Sequence, residues 1–114
     1  MSQAQRAIDS DERLRRVRDY VRNHIEETIR LEDGAREAAL SRTYFSAYFR
    51  RRTGVGFLRW LQSLRVQRAQ ALMRSASLTL TEIGYRAGFK DSRTFQRTFK
   101  RYQGDCPSAK LERS

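Results

Sequence analysis

Arg93, Gln96 and Arg97 stand three and four residues apart, with Ser92 just before them. On a helix, that spacing places the three on one face. Arginine can donate two parallel hydrogen bonds to guanine O6 and N7, and glutamine can pair with adenine N6 and N7. The chemistry in view is base reading in a major groove rather than bond making. Lys90, Thr94, Lys100 and Arg101 surround these residues. They suit phosphate oxygens, which supply affinity and salt dependence without sequence choice. The stretch that carries them, "AGFKDSRTFQRTFKRYQG" (87–104), also sets Phe95 and Phe99 four apart. Those rings predict an apolar stripe turned to a core, with Tyr102 beside them.

The stretch has an earlier copy. "LEDGAREAALSRTYFSAYFRRRTG" (31–54) aligns with "LTEIGYRAGFKDSRTFQRTFKRYQG" (80–104). Leu31, Ala38 and Leu40 fall on Leu80, Ala87 and Phe89 at an offset of 49. After one extra residue near Asp91, Phe45, Phe49 and Gly54 fall on Phe95, Phe99 and Gly104 at an offset of 50. A single supersecondary unit used twice is the economical reading. The first copy then offers Arg42, Thr43, Ser46 and Ala47 to bases, with Arg50 and Arg51 toward the backbone. Tyr44 either reaches a phosphate or packs. Ala47 stands opposite Arg97; it can touch a thymine methyl but donates no hydrogen bond. The first copy is therefore expected to read few bases and to rely on phosphates or shape.

Each copy reads as a short helix, a tight turn and a second helix, about 42–52 and 92–102. Thr79-x-x-Glu82 is a capping box, Gly88 suits a helix stop, and Asp91 or Ser92 can cap the next helix. Ala35 and Gly84 let two helices cross closely. This is helix-turn-helix chemistry. Leu14, Val17, Val21, Ile25 and Ile29 predict a first helix at about 11–28. Phe57, Trp60, Leu61, Leu64, Ala69, Leu72 and Met73 predict a longer one from Phe57 to Ser75. At 1.5 Å per residue it spans about 28 Å, against about 34 Å between successive turns of B-DNA. A rod of that order, plus the width of the units, would set two recognition helices into adjacent major grooves.

The composition agrees. The formal charge of +11 over 114 residues is unevenly spread. Residues 1–37 carry eight Arg/Lys against nine Asp/Glu, whereas residues 38–114 carry sixteen against four. A basic surplus confined to two thirds of the chain predicts a polyanion partner, nucleic acid ahead of membrane. With one proline and six glycines, a nearly all-helical protein is favoured over a sandwich or barrel. The single Cys106 excludes a disulfide framework and points to the cytosol. One histidine and one cysteine exclude the usual zinc sites. No apolar run approaches membrane-spanning length, and no signal-peptide core opens the chain.

The run "LSRTYFSAYFRRRTGVGFLRWLQSLRVQRAQALM", followed by "LTEIGYRAGFKDSRTFQRTFKRYQGDCPS", resembles the DNA-binding domain of the AraC/XylS family of bacterial transcription regulators. The resemblance covers about residues 14–109 and is most specific over "IGYRAGFKDSRTFQRTFKR". The "LRVQRAQALM" segment is similar to the family's linker helix. The resemblance implies an all-α fold of about seven helices, with two helix-turn-helix lobes joined by that long helix. It implies binding of asymmetric promoter DNA as a monomer, an activator's role and contact with RNA polymerase. It places the chain among small stand-alone members or excised C-terminal domains, in the bacterial cytoplasm with the nucleoid. The expected layout is a tail at 1–10, a first lobe at 11–55, a linker at 56–75, a second lobe at 76–111 and a tail at 112–114.

Three departures from the family pattern stand out. Gly34 sits where the second copy has Ile83 and the family an apolar residue, which predicts a softer first lobe. Gln103 and Asp105 replace apolar residues and predict a frayed C-terminus, although Pro107 can begin a last short helix. Ala47 replaces a long polar side chain.

Other classes of function compete less well. His24 lies among polar neighbours on the first helix, and Cys106 has no adjacent histidine, though a helix N-terminus there would lower its pKa. No phosphate loop, metal cluster or nucleophile motif appears, so the chain is read as a non-enzyme without cofactor or metal. RNA binding lacks aromatic residues interleaved with exposed cations. A protein-interaction module or a nonspecific DNA binder of the same fold is the alternative to a sequence-specific regulator that binds double-stranded DNA.

Overall fold

A computed structural model describes residues 2–75 and 77–113. Among them run eight helices and no strand: α1 (Gln3–Asp9), α2 (Glu12–Asn23), α3 (Leu31–Ala38), α4 (Arg42–Thr53), α5 (Phe57–Met73), α6 (Leu80–Arg86), α7 (Ser92–Gln103) and α8 (Pro107–Arg113). The all-α expectation holds, with one helix more than expected. The chain divides into two compact units within α5, after Leu61.

The extra helix lies in the stretch read as an N-terminal tail. Ser2 and Gln5 close a capping box at the start of α1, and Ile8 is buried. The helix packs on α2 and α4. A single buried isoleucine gives no periodicity from which to read a helix, and the Ser2-x-x-Gln5 capping box was the signal available in the sequence. The following helix is shorter than its pattern predicts. It ends at Asn23, where the backbone N–H of His24 bonds to Tyr20 and Val21. The His24 ring stacks on Tyr20 at 4.3 Å, and a turn follows. Ile25 and Ile29 are still buried, but from irregular backbone. Ile25, Thr28 and Ile29 are β-branched and favour helix weakly, and their burial needs only the right direction.

In the first unit, α3 and α4 form the helix-turn-helix. Ser41 caps α4 by accepting a hydrogen bond from the Tyr44 N–H. The turn between the helices passes through Ala39, which adopts the left-handed region at φ 58°. The core is aromatic: Phe45, Phe49, Phe57 and Trp60 are buried. Phe57 lies edge-on to both Phe45 and Phe49, at centroid distances of 5.2 and 5.5 Å. Such edge-to-face pairs are worth about 0.5–1.5 kcal/mol each beyond their buried area.

Gly34, the residue that predicts a softer first unit, has its space filled by neighbouring rings. A Cβ built there would lie 2.8 Å from Phe45 Cε2 and 3.0 Å from Phe57 Cζ. The volume that Ile83 occupies in the second copy is taken here by aromatic rings. At the offset of 50, Phe57 opens α5 where Pro107 opens α8. One unit therefore combines glycine with phenylalanine, and the other isoleucine with proline. All four residues are buried.

In the second unit, Thr79 and Glu82 close the expected capping box on α6, and Gly88 takes the left-handed conformation at φ 104°. Asp91 caps α7 through the Thr94 N–H at 2.7 Å. Phe95 and Phe99 pack with Ile83, Ala87, Phe89, Val66 and Ala69. A Cβ on Gly84 would meet Phe95 Cδ2 at 2.8 Å, so glycine permits the close crossing of α6 and α7. Gln103, one of the polar residues expected to loosen the C-terminus, accepts a hydrogen bond from Gln70 at 2.6 Å. The C-terminal segment then continues as α8, which begins at buried Pro107. Of the stretch read as a C-terminal tail, Ser114 lies outside the described residues.

Candidate nucleic-acid interface

On α7 the two faces separate cleanly. Phe95, Thr98 and Phe99 are buried, while Ser92, Arg93, Gln96, Arg97, Lys100 and Arg101 are exposed. Arg93, Gln96, Arg97 and Lys100 line one open, shallow groove together with Cys106. The three proposed base readers therefore share a surface, and Lys100 flanks them. Ser92 lines a separate small recess with Thr81 and Ser108, which Gln96 also borders. Lys90 is exposed and Thr94 half-buried.

Two titratable groups border this surface. Hydrogen bonds from the Thr94 backbone N–H and hydroxyl hold the Asp91 carboxyl below its ordinary range, and the charges of Arg97 and Arg93 add to the effect. The Ser108 hydroxyl and the Ala109 N–H hold the Cys106 thiol below its usual range. Placement of Cys106 at the edge of the α7 groove was not legible in its sequence neighbours. It requires the turn that brings the start of α8 beside α7.

The corresponding surface of α4 has a different character. Arg42, Thr43, Tyr44, Ser46, Ala47, Arg50 and Arg51 are all exposed. Thr43, Ser46 and Ala47 stand where α7 has Arg93, Gln96 and Arg97, so the middle of this face is short and low in charge. Tyr44 is 52% exposed, with its ring 6.2 Å from Tyr48. Arg42, in the first turn of α4, pairs with Glu32 of α3 at 3.2 Å.

Behind the face lies a cluster that sequence reading passed over. Tyr48 donates to Asp11 Oδ2 at 2.6 Å, and Arg52 Nη1 stands 3.4 Å from the same oxygen. The Arg52 guanidinium sits over the Tyr48 ring at 4.9 Å. The i, i+4 spacing of Tyr48 and Arg52 was the available signal; their acidic partner, far off in the chain, was not. Arg13 also donates to the Ala38 carbonyl at 2.6 Å, satisfying the end of α3 from α2.

Among the described residues no group of His, Cys, Asp and Glu could hold a metal ion. No helix among them is long and apolar enough to cross a membrane.

Comparison with known proteins gives a consistent result. A helix-turn-helix domain family profile matches residues 35–113. The Msm operon regulatory protein of Streptococcus mutans is 30% identical over 95 residues, which are 83% of this chain and 34% of that protein. An uncharacterized HTH-type transcriptional regulator of Staphylococcus aureus is 29% identical over 110 residues, 90% of this chain and 15% of its own length. The chain thus spans about a third or less of the curated relatives it matches. Among solved structures, the DNA-binding domain of AdpA, a global transcriptional factor crystallised with a target DNA, superposes with a TM-score of 0.82 at 30% identity. That match covers 90% of this chain and 92% of the other. The C-terminal domain of AraT, a response regulator from Geobacillus stearothermophilus, gives 0.84 at 27% identity, covering 91% and 87%. An AraC-type DNA-binding domain from Chromobacterium violaceum shares the fold, at a TM-score of 0.82. The duplicated helix-turn-helix and these matches converge on one family, and the chain belongs to the AraC-type helix-turn-helix DNA-binding domains.

Proposed function

We propose that the chain is the sequence-specific double-stranded DNA-binding part of a transcription regulator, with α4 and α7 each entering a major groove. The observation that carries this reading is the α7 surface. Arg93, Gln96, Arg97 and Lys100 gather on one exposed groove, while Phe95 and Phe99 anchor the opposite face. Ser92, Arg93, Gln96 and Arg97 read base edges. Lys90, Thr94, Lys100 and Arg101 hold phosphates. On α4, Arg42, Thr43, Ser46 and Ala47 face bases, and Tyr44, Arg50 and Arg51 face the backbone. Binding as a monomer, an activator's role, contact with RNA polymerase and a place on the nucleoid in the cytoplasm rest on the family resemblance.

The short side chains Thr43, Ser46 and Ala47 favour a second reading, in which the domain binds DNA without sequence choice or serves mainly to contact proteins. Selection of bound duplexes from a random pool at about 150 mM salt separates them. An enriched motif supports the sequence-specific reading. Equal retention of all duplexes favours nonspecific binding, and no retention favours the interaction module.

A further inference from the structure

We infer that Glu32 is a positioning residue for base recognition by α4, holding the Arg42 guanidinium toward a guanine and away from phosphate. The inference rests on the sequence-specific reading above and assigns a specificity role to a residue outside both recognition helices. Glu32 lies in the first turn of α3, and its Oε1 stands 3.2 Å from Arg42 Nη1, at the first turn of α4. Both side chains are exposed, so the pair contributes little to stability. Its effect is on where a long cationic side chain points.

Three observations give that direction weight. First, the rest of the α4 face cannot compensate: Thr43, Ser46 and Ala47 are short, so Arg42 is the long base-facing donor at the N-terminal end of α4. The bases read by this unit depend on Arg42 to an extent that those read by α7 do not depend on any one residue. Second, the contact uses one edge of the guanidinium. Arginine has five N–H donors in a rigid fork, and engaging Nη1 leaves donors for a bidentate pair with guanine O6 and N7. Third, the Glu32 carboxylate places a negative charge beside the Arg42 guanidinium, and that charge repels phosphate. A free arginine at the groove edge is drawn to phosphate, whereas one held by a carboxylate meets a repelled backbone.

The second unit shows what the position looks like without the device. Glu32 falls on Thr81 at the offset of 49, and Arg42 falls on Ser92 at the offset of 50. Thr81 and Ser92 line a small recess and carry no charge. There the arginines lie further along the helix, at 93 and 97, and the carboxylate near them is Asp91, which is held by the Thr94 N–H as the cap of α7.

The test is selection from a random duplex pool with the wild-type chain, E32A, E32Q and R42A, read position by position. Wild type should prefer guanine at one base pair of the α4 half of the motif, by about 5- to 150-fold over other bases. R42A should lose that preference, E32A should reduce it at least about fivefold, and E32Q, which keeps an acceptor without the charge, should fall between. Both Glu32 variants should bind random duplex about two- to threefold more tightly, since a charge that repels phosphate is gone. The half of the motif read by α7 should not change. If Glu32 only stabilises α3, its variants would melt earlier and weaken all duplexes alike with the base preference intact, which overturns the inference. Loss of a cytosine preference at a neighbouring pair, with guanine retained, would mean that Glu32 reads a base itself and also overturns it. Should E32A fail to fold, E32Q alone carries the comparison. An α7 motif with no guanine preference traceable to Arg42 sinks this inference and leaves the DNA-binding reading standing. Absence of any motif from wild type sinks both.

Discussion

The Tyr48 hydroxyl donates a 2.6 Å hydrogen bond to Asp11 Oδ2, and so ties α4, the second helix of the first helix-turn-helix, to the corner between α1 and α2. Asp11 is buried and also caps α2, accepting from the Leu14 N–H at 3.1 Å through Oδ1. Burial acts to raise the pKa of this carboxyl. The bonds from Tyr48 and Leu14 and the charge of Arg52 outweigh it, and the group is held below its ordinary value of 3.8. Two elements, α2 and α4, therefore meet at one carboxylate.

Tyr48→Phe removes a hydrogen bond to a charged acceptor and should destabilise the chain by about 1.5–3 kcal/mol. Urea unfolding at neutral pH measures the loss; an unchanged midpoint would show that the bond contributes nothing net.

The same carboxylate predicts an acid dependence. Because its folded pKa lies below the unfolded one, its contribution is fully present above the unfolded value and is lost as pH falls through the folded value. Wild type should lose stability on acidification below about pH 4. Asp11→Asn should be less stable at neutral pH and lose less on acidification, as followed by urea midpoints across that range. Parallel curves for the two proteins would contradict the assignment.

Gly34→Ala gains about 1 kcal/mol of helix propensity but drives a methyl to 2.8 Å from Phe45 Cε2. The Phe45 ring is itself packed against Phe49 and Phe57 and has little room to move. A net destabilisation of about 1–3 kcal/mol is expected, as for other overpacked cores. A thermal melt above that of wild type would mean that the rings yield.

Ala39→Gly should do the opposite. Ala39 holds φ 58°, which costs an L side chain roughly 1–2 kcal/mol, and its counterpart in the second unit is Gly88. Allowing for the greater chain entropy of glycine, a gain of about 0.5–1 kcal/mol is expected. Ala39 ends α3 and lies outside the α4 and α7 faces assigned to DNA, so DNA binding should be untouched; a lower denaturation midpoint would refute the expectation.

Arg97→Ala should cost about 1–3 kcal/mol on the preferred duplex and relax choice at one base pair. Lys100→Ala should weaken preferred and random duplexes alike and reduce the salt slope by about one. Titrations of both variants at several salt concentrations distinguish the two. Identical behaviour would erase the proposed division of α7 into readers and phosphate holders.

What the sequence determined by itself was local. The capping box Thr79–Glu82, the Asp91 cap and the turn glycine Gly88 act over three to five residues, and each was readable from type and spacing. The buried stripe Phe95–Phe99 and the exposed face opposite followed from helical period alone. So did the duplication, because both copies need the same apolar anchors. The tertiary structure decided whatever depends on distant partners. Asp11 meets Tyr48 across 37 residues, and Glu32 meets Arg42 across 10. Gly34 was a defect when compared with Ile83 and became a fit once Phe57 filled its space. Helix α1, with one buried isoleucine, needed a surface to fold against. A side chain's type states what it can bond; its neighbours in space decide which bond it makes and how much room it has.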